Sequence, residues 1–78
     1  MKKFESFNEL LDSIGVTFSS HRRYADEKLG DFLACVGSDE GKEPRSYFTI
    51  EIDEKKIDIG VTHEEVGEEE YKYTYWIF

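Results

Sequence analysis

Between Tyr47 and Thr62 two runs of alternating apolar and polar residues face each other, with Phe48, Ile50 and Ile52 answered by Ile57, Ile59 and Val61. A period of two marks strands buried on one face. The spacing predicts a hairpin with a tight turn at Glu54-Lys55, setting Ile52 opposite Ile57, Ile50 opposite Ile59 and Phe48 opposite Val61 on a shared face. The reverse face would carry Thr49 opposite Gly60, Glu51 opposite Asp58 and Asp53 opposite Lys56. The turn lacks the Asn-Gly pair favoured in two-residue loops, which suggests a bulged or slightly longer connection.

Near the start of the chain the period changes. Phe7, Leu10, Leu11 and Ile14 recur at helical spacing, Ser6 and Glu9 stand in capping-box positions, and Gly15 supplies a stop. A short amphipathic helix from about Ser6 to Ile14 follows, with Phe4 packing back on its first turn in the manner of a hydrophobic staple. Its apolar face requires a sheet to cover.

Residues 16–37 admit two readings. As a helix, Ala25, Leu29, Phe32, Leu33 and Val36 would share a face and Ser20 could cap it, but Gly30 would sit inside at a cost of about 1 kcal/mol relative to alanine. As strands, the apolar run Phe32 to Val36 lies between Gly30-Asp31 and Gly37-Ser38, the pattern of a buried strand, and Val16 to Tyr24 would pair with it. The strand reading is preferred. A further strand is expected from about Tyr71 to Ile77, with the connection from Glu64 to Glu70 projecting as a loop in which Gly67 is free to take a positive φ. The expected fold is α+β: one N-terminal helix packed on an antiparallel sheet of four or five strands. Two helices on a three-stranded meander is the alternative.

Composition narrows what such a fold could do. A chain of 78 residues is one small domain, and a net charge of -8 opposes direct binding to nucleic acid or to an anionic membrane. A basic protein is the more natural partner. The lone cysteine, Cys35, excludes an internal disulfide and a multi-cysteine zinc site, and its apolar neighbours suggest an inert thiol. Lys2-Lys3 opens as a secretory signal would, but Glu9 and Asp12 interrupt any apolar segment, and no stretch approaches the roughly 20 apolar residues of a membrane span. The expected location is the cytoplasm.

Catalytic patterns are scarce. His63-Glu64 begins like the metalloprotease H-E-x-x-H motif, but Gly67 occupies the second ligand position. Ser19-Ser20-His21 would point to opposite faces of a strand and so form no nucleophile–base pair. His21, Arg22 and Arg23 form a basic patch that, with His63, could hold a phosphate, although ion pairing with surrounding acid accounts for it more simply. Glu51, Asp53 and Asp58 supply carboxylates without the spacing of a calcium loop. The expectation is a non-enzyme with neither cofactor nor metal.

What stands out is an acidic run, Glu64, Glu65, Glu68, Glu69 and Glu70, set directly before Tyr71, Tyr73, Tyr75, Trp76 and Phe78. Carboxylates steer a basic partner and large rings supply affinity. With Glu51 and Asp58, those five glutamates form the expected partner-binding set of an inhibitor or binding module that masks a basic surface. In its strongest form the module would imitate nucleic-acid phosphates, since same-face strand residues about 6.6 Å apart approach the charge spacing of a single strand. The alternative is a structural protein whose aromatic strand makes a homodimer seam or joins a partner sheet.

Overall fold

The computed structural model describes residues 1–78. Helix α1 (Phe7–Ser13) begins as its sequence dictates, with the Ser6 hydroxyl accepting the Glu9 backbone N–H at 3.1 Å. It ends in a Schellman closure. Gly15, at φ 77°, donates to the Asp12 carbonyl, and Val16 donates to that of Leu11. This turn folds Val16 back beside Phe7, Leu10 and Leu11, all buried in one cluster.

Residues 19–35 form a second helix, α2 (Ser19–Cys35), where strands were expected. The apolar run at its end winds as the last turn, burying Phe32 and leaving Cys35 and Val36 exposed. Local propensity explains why the helix wins: from Ser20 to Leu29 most residues form helices readily, and the interior Gly30 is on the exposed side, where a Cβ would meet nothing within 4 Å. No side chain caps the helix start; Phe18 occupies the cap position. Tertiary contacts hold it instead. The Arg22 guanidinium donates to the Val16 carbonyl at 3.0 Å and to Asn8 Oδ1 at 3.4 Å and forms an ion pair with Asp12, tying α2 to α1. Gly37, at φ 86°, gives its N–H to the Phe32 carbonyl and ends the helix.

Beneath the helices lies a five-stranded sheet, so the α+β class and strand number expected from the sequence hold, but two helices cover it where one was expected, and a parallel strand makes it mixed where a wholly antiparallel sheet was expected. Strands β1 (Lys2–Phe4), β5 (Glu70–Ile77) and β4 (Lys55–Gly67) run antiparallel in that order. The far edge of β4 is shared. Strand β3 (Phe48–Ile52) pairs antiparallel with its first part, and the short β2 (Asp39–Glu40) pairs parallel with Thr62 and His63.

The β3–β4 register differs from the expected one by two residues. Ile50 faces Ile57, Phe48 faces Ile59, and Ile52 faces Lys55. The turn lies at Asp53-Glu54, both at positive φ (53° and 65°), as a two-residue loop of the I′ kind requires. Aspartate tolerates that left-handed region better than the Glu54-Lys55 pair would, which moves the turn back by one position. A shift of two preserves the faces, so Ile50, Ile52 and Ile59 remain buried together.

The reverse face is partly covered too. The segment after β2 crosses it so closely that a Cβ on Gly60 would lie 2.6 Å from Pro44 Cβ and 2.8 Å from Phe78 Cε2. Only glycine fits that crossing. Beside it, Thr62 is buried and accepts the Trp76 indole N–H at 2.8 Å.

Candidate functional site

Strand β4, at 13 residues, spans about 40 Å at 3.3 Å per step, the length of the molecule's 40 Å long axis. From Glu64 onward β4 pairs only with β5, and this end of the two strands forms a two-stranded arm. The acidic segment was expected to be a loop from Glu64 to Glu70. Instead Glu64 and Glu65 belong to β4, Glu70 begins β5, and only Glu68 and Glu69 make the turn, with a bulge between Glu65 and Gly67. Glu69, not Gly67, takes the positive φ, at 61°.

Strand alternation distributes the predicted site over several surfaces. Glu65, opposite Tyr71, lies on the same face as His63 and Tyr73. Glu68, Glu69 and Glu70 crown the tip, exposed and without salt-bridge partners. Glu64 lies on the reverse face opposite Lys72, whose ammonium pairs with Glu5 at 3.5 Å.

Glu51 and Asp58 do not join this group. Seven residues of extended strand place Asp58 about 23 Å from Glu65. Nor do they oppose each other: Glu51 faces Lys56, while Asp58 accepts the Thr49 hydroxyl at 2.7 Å. The register shift thus replaces the expected like-charge pair with two favourable ones.

On the front of the arm, Tyr71 and Tyr73 remain 53% and 45% exposed, and the His63 ring meets Tyr71 edge-on at 5.6 Å and Tyr73 at 6.3 Å. Further along β5, Tyr75 packs on Phe7 at 5.7 Å; burial, and secondarily Tyr73, raise its hydroxyl pKa above the usual tyrosine value. The strand therefore turns from core to surface between Tyr75 and Tyr73.

His63 is anchored from outside the arm. Ser38 Oγ lies 2.6 Å from its Nδ1, a contact between residues 25 positions apart that no sequence spacing announces. Beside it, the backbone N–H groups of Ser46 and Arg45 hold the Asp39 carboxyl below the usual carboxylate range. With its Oδ2 taken by those two N–H groups, Asp39 serves the chain crossing; it makes no hydrogen bond to His63. The contact with Ser38 fixes the orientation of the His63 ring on the front of the sheet. Ser19, Ser20 and His21, by contrast, lie in the first turn of α2.

No family model, curated protein or solved structure matches this chain.

Proposed function

We propose that the protein is a non-enzymatic binding module that docks on a basic surface of a partner protein through the acidic, tyrosine-bearing arm. The observation that carries this reading is the combination of unpaired Glu68, Glu69 and Glu70 at the tip with exposed Tyr71 and Tyr73 directly behind them. Unpaired carboxylates speed encounter with a cationic partner, and tyrosines offer ring faces to its arginines and lysines. Glu65 extends the same surface. Glu51 and Asp58 belong to another part of the sheet and fall outside this proposed interface.

Affinity capture from the native host at low and high salt tests the reading. The wild-type protein should retain a basic partner at low salt and release it at high salt. A variant carrying E65Q, E68Q, E69Q and E70Q should lose most of that capture, and a Y71S/Y73S variant should lose it while keeping the salt dependence of what remains. Equal capture by all three proteins would refute the proposal.

A second reading rests on the outer edge of β5. β1 pairs only with Tyr75 to Ile77, leaving Glu70 to Thr74 as an open edge to which another strand could add. Sedimentation at increasing concentration would reveal a salt-insensitive dimer in that case.

A further inference from the structure

The reverse face of the arm has the opposite electrostatic character. A cavity of about 280 Å³ opens there, and three of the chain's ten basic residues, Lys3, Lys42 and Lys72, line it. They come from separate places in the fold: Lys3 from β1, Lys72 from β5, and Lys42 from the segment after β2, which Gly41 ties to the His63 carbonyl at 3.4 Å. Register brings them together. Lys3 faces Trp76, Thr74 faces Thr62, and Lys72 faces Glu64 across successive rows of β1, β5 and β4. Three ammonium groups meet one lining carboxylate, Glu64, and Lys72 also reaches Glu5 outside the lining at 3.5 Å, which leaves a local excess of positive charge in a molecule that is otherwise strongly acidic.

We infer that this cavity binds a small phosphorylated, hydroxyl-bearing molecule of the sugar-phosphate type. Lysine ammoniums are compact, strongly hydrated charges that suit phosphate oxygens, and their mutual repulsion falls when a dianion lies between them. Glu64 accepts hydrogen bonds from hydroxyl groups, and the Thr74 hydroxyl can donate or accept. Trp76 supplies a flat wall for the C–H face of the sugar. Its indole is held in place because its N–H is already committed to Thr62 Oγ1 at 2.8 Å. Concave shape, a few convergent polar groups and one fixed aromatic wall are the usual parts of a small-molecule site. This inference is independent of the partner-binding reading, which uses the tip and the front of the arm.

Trp76 is the only tryptophan in the chain, so its fluorescence reports on this cavity alone. Titration of the full protein with ribose 5-phosphate and with inorganic phosphate should give saturable changes in emission, the sugar phosphate binding more tightly, while unphosphorylated ribose gives none. The Trp76 indole N–H resonance should shift over the same concentration range. Replacing Lys42 by alanine, in an exposed segment, should weaken ribose 5-phosphate by about tenfold, the worth of one charge-assisted contact. Lys28→Ala, on α2, should leave the titration unchanged, and Glu64→Gln should tighten inorganic phosphate. Absence of saturation with either phosphate compound in the millimolar range would overturn the inference. So would equal binding of ribose and ribose 5-phosphate, or Lys42→Ala and Lys28→Ala behaving alike.

Discussion

The two halves of β4 are continuous in backbone and opposite in environment. From Ile59 to Thr62 every residue is buried, under the helices on one side and under Pro44, Trp76 and Phe78 on the other. From Glu64 to Val66 every residue is exposed. The same hydrogen-bonded ladder to β5 runs through both. Strand pairing alone therefore does not make a core; what covers the strand does, and the uncovered half is free to carry charge and rings that the covered half would reject.

The sharpest way to break this contrast is to cut a side chain from the covered half. Ile59→Ala should lower stability by about 2–5 kcal/mol, a large share of the total for a domain of this size, measured by urea unfolding. The equivalent deletion in the arm, Val66→Ala at 59% exposure, should cost less than about 0.5 kcal/mol. Similar losses at the two sites would mean that the arm packs on something and the contrast is false.

Gly60→Ala tests the covering of the reverse face. A methyl group there meets Pro44 and Phe78 at distances that real Cβ contacts do not show, and overpacking of this kind costs about 1–3 kcal/mol. Pro44→Ala in the same background should recover part of the loss, because it removes the nearest atoms. A neutral Gly60→Ala would place the crossing segment farther from β4.

A smaller effect is expected from Asp39, which organises that crossing. Its folded pKa is depressed by backbone donors, so its contribution to stability is complete above the ordinary carboxylate value and disappears as pH falls through the folded value. Asp39→Asn should melt below the wild type at neutral pH, and the gap should close in acid. A gap of constant size from neutral pH to strong acid would show that the carboxylate's charge contributes nothing.

The smallest change, and the one of opposite sign, belongs to the tip. Glu68→Gln, Glu69→Gln and Glu70→Gln together should leave stability unchanged or raise it by a few tenths of a kcal/mol, the gain shrinking with added salt. A clear loss of stability would mean that these carboxylates hold the arm together.

Much of the covered half is legible in the sequence. The capping box at Ser6 and Glu9, the stop at Gly15 and the alternation at Phe48, Ile50, Ile52, Ile59 and Val61 each state their structure locally. The register of the β3–β4 hairpin is not so stated, because a shift of two residues leaves every side chain on the same face and only the φ preferences of Asp53 and Glu54 decide between the alternatives. The second helix is hard to read for another reason. Its buried residues are few, Ala25 and Phe32, so it shows little helical periodicity, and its last apolar turn imitates a strand. In the arm, the acidic and aromatic residues are plain from composition, but their division between faces depends on strand boundaries. That is why Glu64 parts from Glu65, and why the three lysines around Trp76, drawn from residues 3, 42 and 72, leave no contiguous motif.

The pairing of Lys2 with Ile77 closes a loop of nearly the whole chain. The two hairpins that share β4 need only local contacts and can form in about 1–10 μs, whereas β1 must find β5 across some 75 residues. Loop-closure entropy favours making such a contact only after the intervening segment has condensed. The edge strand is thus expected to be the last element to dock and the first to detach. Transient release of three residues would then unseat Lys3 and lay bare the rest of the β5 edge while leaving the helices on their sheet.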